Sequence, residues 1–296
     1  MKLNILLIFF LTFFMSCVKE SLPECPYQYG VQLFVLDKNY SNISGSLGES
    51  KPENLPFNQY ITDIYYTLES LDMKNNIISP RYFEVKGDQK EITLTIDSVP
   101  DGNYVLTVWG NVNYKKNTLF DPEMLHDNDE KADTYYVSDT LAIVSGIKKD
   151  IRLGMYRTKG LLDITINNLP ESVVKVWERV SSVYQYMDKQ SRGYTGMSNV
   201  EKNFLKSDQP MNKLDTYLAP TVEDRMSKLD IKLFTALSGE PMLTLPTMDI
   251  EIERNQVSSL LLNYLEEEGR LEIWSYINEE WTLIHMLEID DPLEEQ

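Results

Sequence analysis

The chain has 296 residues and a formal net charge of -18, from 28 basic and 46 acidic side chains. That balance opposes binding to nucleic acid or to anionic lipid surfaces, and a count of 2 cysteines excludes a disulfide-built scaffold. The length is enough for two modest domains, each with its own core.

The first residues read Met1-Lys2-Leu3-Asn4, followed by an apolar run from Ile5 to Met15 that stops at Ser16-Cys17. A short positive start, an apolar centre and a small residue before a cut are the parts of a secretory signal, here residues 1–16. The run is shorter than the roughly 20 apolar residues a membrane-spanning helix needs. Phe14-Met15-Ser16-Cys17 is similar to the bacterial lipobox. That resemblance implies a diacylglycerol on the Cys17 thiol, with Cys17 as the new N-terminus. A multi-chain lipid anchor of this kind is effectively permanent, at about 0.8 kcal/mol per buried CH₂. Residues 17–29 then read as a tether. If Cys17 is acylated, Cys25 in Pro23-Glu24-Cys25-Pro26 has no intramolecular partner and reads as a structural thiol.

Strand signals follow almost throughout. Val31 to Leu36, Ile61 to Leu68 and Tyr82 to Val85 are rich in β-branched and aromatic residues. Glu91 to Asp97 alternates strictly, with Ile92, Leu94 and Ile96 on one face. Pro100-Asp101-Gly102-Asn103 breaks the chain, and Asp-Gly there predicts a positive φ in a tight turn. Tyr104 to Trp109 is the next strand, expected either to pair with its predecessor as a hairpin or to cross to the other sheet of a sandwich. A polar loop over Lys115 to Asp133 precedes strands at Tyr135 to Val137, Ile147 to Leu153 and Gly160 to Asn167.

The second half repeats the style. Strands are expected at Val173 to Trp177, Ser182 to Tyr186, Leu229 to Phe234, Met242 to Leu245, Gln256 to Leu265, Leu271 to Tyr276 and Trp281 to Ile289. Val222 to Leu229 is the one segment that reads as a turn or two of helix. Each half holds an acidic turn with glycine leading into a strand with tryptophan, Gly102 to Trp109 and Gly269 to Trp274, a hint of duplication. Many short strands separated by turn signals predict an all-β chain. The expected division is a sandwich over 30–156 and another over 157–296.

Chemistry is sparse. His126 and His285 lie in different halves, and no cluster has zinc spacing. No G-x-S-x-G elbow, P-loop or G-x-G-x-x-G fingerprint occurs. Asp121, Glu123, Asp127, Asp129, Glu130 and Asp133 offer oxygen ligands for calcium, without the spaced register of an EF-type loop. The reading is therefore of no enzyme, no catalytic residue, no cofactor, no metal and no small-molecule substrate. The 18 tyrosines, 10 phenylalanines and 4 tryptophans fall mostly in strand patterns, where packing accounts for them.

Taken together, the lipobox cysteine, Cys25-Pro26, the strand Val31 to Leu36, the Ile92 to Trp109 unit with its Pro-Asp-Gly-Asn turn, and the strand closed by Asn168-Leu169-Pro170 resemble the FimB/Mfa2 family of fimbrial anchor lipoproteins. The resemblance is specific in the first half and is one of style beyond about Asp188. It implies two transthyretin-like β-sandwich domains in tandem. It further implies a role at the base of a fimbria (pilus), with stalk subunits as protein partners and a lipid-anchored place in the outer membrane. Lys19-Glu20 is similar to the charged signal that sends such lipoproteins to the cell surface, and Asp97-Ser98-Val99 and Asp139-Thr140-Leu141 are similar to sites of bacterial O-glycosylation. Sheet chemistry suggests joining to the stalk by β-strand addition, with Trp281 to Gln296 as the candidate contact. The alternative is a surface glycan-binding lipoprotein beside an outer-membrane transporter.

Overall fold

The computed structural model describes residues 28–43, 47, 50–72, 77–97, 99–112, 121, 123–126, 132–144, 151–188 and 193–289. They form nineteen strands and two short 3-10 turns, with no α-helix among the described residues.

The first half holds β1 (Gln28–Val35), β2 (Asp63–Ser70), β3 (Ile77–Glu84), β4 (Glu91–Asp97), β5 (Gly102–Gly110), β6 (Tyr135–Ile143) and β7 (Ile151–Arg157). They join in the order β3-β2-β5-β6-β7-β1-β4. β6 meets β7 only at Tyr135↔Arg157 and Tyr136↔Tyr156, so the array divides there into a β4-β1-β7 layer and a β3-β2-β5-β6 layer. Val31 and Leu33 of β1 and Leu94 and Ile96 of β4 pack against Ile64 and Leu68 of β2 and Leu106 and Val108 of β5. Full burial of each such side chain stabilises by about 1.5–3 kcal/mol.

Of the hairpin and the crossing, the crossing is what forms, and the positive φ expected at Gly102 is corrected. β4 pairs with β1, whereas β5 pairs with β2 and β6, so the chain crosses between layers instead of closing a hairpin. Gly102 is accordingly the first residue of β5 and not a left-handed turn residue; among the described residues the glycines with positive φ are Gly87, Gly196, Gly239 and Gly269. A chain that passes on to another layer does not reverse tightly. The crossing is held by Asp72, whose Oδ2 accepts the Asn103 N–H at 2.8 Å.

The second half holds β8 (Gly160–Asn167), β9 (Lys175–Val183), β10 (Tyr186–Asp188), β11 (Gly193–Thr195), β12 (Ser198–Leu205), β13 (Lys213–Leu218), β14 (Ser227–Phe234), β15 (Leu243–Thr244), β16 (Met248–Ile250), β17 (Val257–Leu265), β18 (Arg270–Ile277) and β19 (Glu280–Glu288). One layer runs β13-β8-β17-β18-β19; the other runs β12-β9-β14-β15, with β16 also on β14. Leu162, Ile164, Leu214, Leu260 and Ile273 of the first layer meet Val176, Val180, Leu229 and Ile231 of the second in a separate core. The helical turns expected over Val222 to Leu229 do not form. Glu223 and Asp224 make a turn, with Asp224 at φ 59, and β14 begins at Ser227. Its inward residues Leu229, Ile231 and Leu233 follow a period of two, which a helix would scatter around its axis.

The halves share a topology. In the first, β1 is flanked by antiparallel β4 and parallel β7; in the second, β8 is flanked by antiparallel β13 and parallel β17. The opposite layers also correspond, β3-β2-β5-β6 with β12-β9-β14-β15/β16. The duplication is carried by strand order and not by the two glycine turns, since Gly102 opens β5, which matches β14, whereas Gly269 leads into β18, which has no match among the described residues. Once the two patterns are matched, β18 and β19 remain as a hairpin without a counterpart in the first half among the described residues.

Candidate assembly edge and interdomain junction

The extra hairpin makes the second sandwich lopsided. At one side its layers are level: Lys202 of β12 donates from Nζ to the Asp215 carbonyl of β13 at 2.5 Å. Counting inward from there, β9 faces β8, β14 faces β17, and the β15/β16 row faces β18. Asp249 and Ile250 of β16 share a cleft with Leu260 of β17 and Ser275 of β18, as that count requires. One layer has five strands and the other four rows, so β19 faces no row.

Its side chains record this. No residue of β19 is buried; Leu283 is 38% exposed and Met286 55%. Other edge strands keep an inward face, such as Leu94 and Ile96 of β4, Val200 and Phe204 of β12, and Leu214 and Leu218 of β13. Several are also guarded. β12 carries Lys202, β13 carries Lys213, and the β15/β16 row is interrupted by Pro246. Leu245 donates its N–H to Ile231 at 3.0 Å, so by alternation the next nitrogen, that of Pro246, faces outward and has no hydrogen to offer. Lysine and proline are common guards against stray strand pairing. β19 (Glu-Trp-Thr-Leu-Ile-His-Met-Leu-Glu) has neither, and among the described residues no strand pairs with its outer edge.

The hairpin turns through Asn278 and Glu279, both at positive φ (51 and 67), as a two-residue turn with matching twist does. On the outer face Tyr276 lies opposite Trp281, with ring centroids 5.4 Å apart and edge to face. The Trp274 indole N–H donates to Glu272 at 3.2 Å. Ile284, Leu287 and Ile289 pack half-buried against the core. The expected last strand, Trp281 to Ile289, therefore exists within a residue at each end, as an integrated edge strand.

A second polar site lies between the sandwiches, and the sequence reading did not find it. Arg157, at the end of β7, is 2% exposed. Its backbone N–H donates to Asp37 at 2.9 Å, its Nε to Asp133 at 2.8 Å and its Nη1 to Asn255 at 2.8 Å. Its guanidinium also lies 4.3 Å from the Tyr40 ring centroid. Around it, the loop after β1 reaches the second sandwich: Ser41 donates to the Asn255 carbonyl at 2.8 Å, and Asn42 and Val257 exchange two bonds of 2.9 Å. Burial, followed by the charge of Asp133, pushes the Tyr217 phenol up to about 12. Beside this cluster Tyr65, Trp109, Leu125, Tyr136, Met187 and Ala219, drawn from both halves, form an apolar contact. The only prior signal was a basic residue beside a strand end, which does not distinguish a buried arginine from a solvated one.

The remaining sequence-derived positions are placed as follows. Cys17 and Cys25 lie outside the described residues, as do Ser98, Asp127, Asp129 and Glu130. Thr140 is exposed on β6. His126 accepts the Ala219 N–H on its Nε2 at 3.2 Å, and His285 stands opposite Ile273 across the β18–β19 ladder. Asp121 accepts the Glu123 N–H, whereas Asp133 is turned inward to Arg157; the structure does not bring the two together.

The sequence matches no family model and no curated protein. Among solved structures, the chain is similar to a candidate polysaccharide-binding protein from Bacteroides thetaiotaomicron, with 10% identity, a TM-score of 0.52, and coverage of 88% of this chain and 99% of that one. The two share a fold. Also similar are the fimbrial anchor protein Mfa2 from Porphyromonas gingivalis, with 11% identity, a TM-score of 0.49 and coverage of 88% and 100%, and a fimbrial assembly protein from Parabacteroides distasonis, with 11% identity, a TM-score of 0.44 and coverage of 88% and 99%.

Proposed function

We propose that the chain is a non-enzymatic, surface-facing lipoprotein of the outer membrane, held by a lipid on Cys17, that anchors and assembles fimbriae. A stalk subunit joins it by adding a strand to the outer edge of β19. One observation carries this reading: a hairpin appended to an otherwise duplicated topology ends in an edge strand that lacks lysine and proline, has one bulge at Ile284, fully buries none of its residues and is paired by no strand on its outer side among the described residues. An added strand would satisfy the outward N–H and C=O groups and cover Leu283 and Met286. The fimbrial anchor among the structural neighbours supports the same reading. The proposed domains are the sandwiches 30–156 and 157–296, after signal residues 1–16 and a tether over 17–29.

Two variants test it. Leu283→Lys introduces a charge of the kind that guards other edges; it should fold normally and no longer co-purify with fimbriae. Cys17→Ser should release fimbriae into the medium. Unchanged recovery of fimbriae with Leu283→Lys would remove β19 as the contact, and fimbriae still bound to cells with Cys17→Ser would remove the lipid anchor.

A second reading, glycan capture, is favoured by Trp274, Tyr276 and Trp281 sharing one face of the hairpin. Their rings are partly covered by one another and by Glu272, which leaves little flat surface to stack on a sugar. Glycan-array binding that Trp281→Ala abolishes, with fimbrial recovery intact, would favour this reading over anchoring.

A further inference from the structure

The ends of β19 carry information about what it accepts. Its N-terminal end is Glu279-Glu280; its C-terminal end is Glu288, and the sequence continues through Ile289 to Asp290-Asp291. Arg270 stands opposite Glu288 but is engaged by Glu268 at 2.8 Å and Glu272 at 3.1 Å. Between the acidic ends the outer face is apolar, with Trp281, Leu283 and Met286, while the core side mixes Thr282 and His285 with Ile284 and Leu287. Trp281 and Leu283 follow Tyr276 and Trp274 on the outer face, while Ile284, Leu287 and Ile289 lean on the core.

We infer that this edge selects its partner by charge: it takes an extended segment, apolar on the face that covers Leu283 and Met286 and basic at both ends, and rejects a second copy of itself. The inference rests on the proposed strand addition. An unguarded edge strand invites pairing with an identical strand. Two copies of β19 laid side by side would bring acidic end against acidic end in either direction. Antiparallel pairing sets Glu279-Glu280 beside Glu288, and parallel pairing sets each end beside itself. Like charges facing each other across strands are destabilising, and opposite charges stabilise. The protein thereby keeps an apolar edge open without self-association. The outer face sets the other requirement, because only a segment apolar on that face covers Leu283 and Met286.

The test uses the full chain and two synthetic peptides with the same apolar nonamer, one with lysines at both ends and one with glutamates. The lysine-ended peptide should bind about tenfold tighter at low salt and lose that advantage as ionic strength rises. The variant Glu279→Lys/Glu280→Lys makes one end basic, so antiparallel self-pairing becomes complementary. Sedimentation velocity should show a monomeric wild type and a salt-sensitive dimer for this variant, with the dimer lost when Leu283→Lys is added. Equal binding of both peptides, with the variant monomeric, would overturn charge selection and leave strand addition standing. Binding of neither peptide, with the variant monomeric, would overturn both. A wild type that dimerises through β19 would also overturn the inference.

Discussion

At Arg157 a full positive charge sits almost out of water, and its neighbours account for it. Asp133 supplies the opposite charge, Asn255 and Asp37 accept further bonds, and Tyr40 offers a ring face. Removing one member of such a buried pair leaves the other charge uncompensated, at a cost of about 3–5 kcal/mol. Arg157→Ala should therefore lose about that much stability in guanidinium denaturation. The junction also sets an alkaline limit. Tyr217 is raised from an ordinary 10.0 to about 12. The folded chain thus holds a proton that the unfolded chain releases in that interval, and stability falls as pH rises from about 10 to about 12. Tyr217→Phe should lessen the fall when melting temperature is followed across that window, the remainder coming from Tyr40, Tyr135 and Tyr194, which burial also raises. None of this was legible in the sequence. Arg157 and Asn255 are far apart in the chain, and nothing local marks either as buried. The alternation of Leu94 and Ile96 was legible, because strand burial is written at neighbouring positions.

Elements with apolar residues on every second position were found, often to within a residue or two: β4 and β8 match their expected spans, and β19 differs by one residue at each end. β12 and β13 were not found. In β12 the inward set Val200 and Phe204 is interrupted by Lys202, whose amine reaches the far layer. In β13 Thr216 sits fully buried between Leu214 and Leu218, where a polar residue masks the pattern. Gly160 opens β8, as expected, and an added Cβ there would lie 2.2 Å from the Glu253 carbonyl oxygen. Backbone on both sides cannot give way, so Gly160→Ala should destabilise by about 1–3 kcal/mol in urea unfolding. The β18–β19 hairpin has little buried surface on its outer strand. Hydrogen exchange should show β19 amides opening faster than those of β8 or β17, which lie inside the sheet.

Over the whole molecule the two sandwiches are joined by the Arg157 network, the Asn42–Val257 exchange and an apolar contact from both halves. Under the proposed anchoring role, load entering at β19 would pass through both cores. The all-β class was readable from strand spacing, whereas the two-sandwich architecture was allowed by chain length and implied by the family resemblance. The unequal layers were not readable, because the length of a sheet depends on which strands pair and not on how many there are.

The most direct test of β19 as the assembly edge is site-specific photo-crosslinking in intact cell envelopes, with the reactive group in place of Met286, an exposed residue of that strand. A crosslink to a fimbrial subunit, lost when Leu283→Lys is introduced, is the predicted result. Crosslinks to no fimbrial protein, or a fimbrial crosslink that Leu283→Lys leaves untouched, would contradict it.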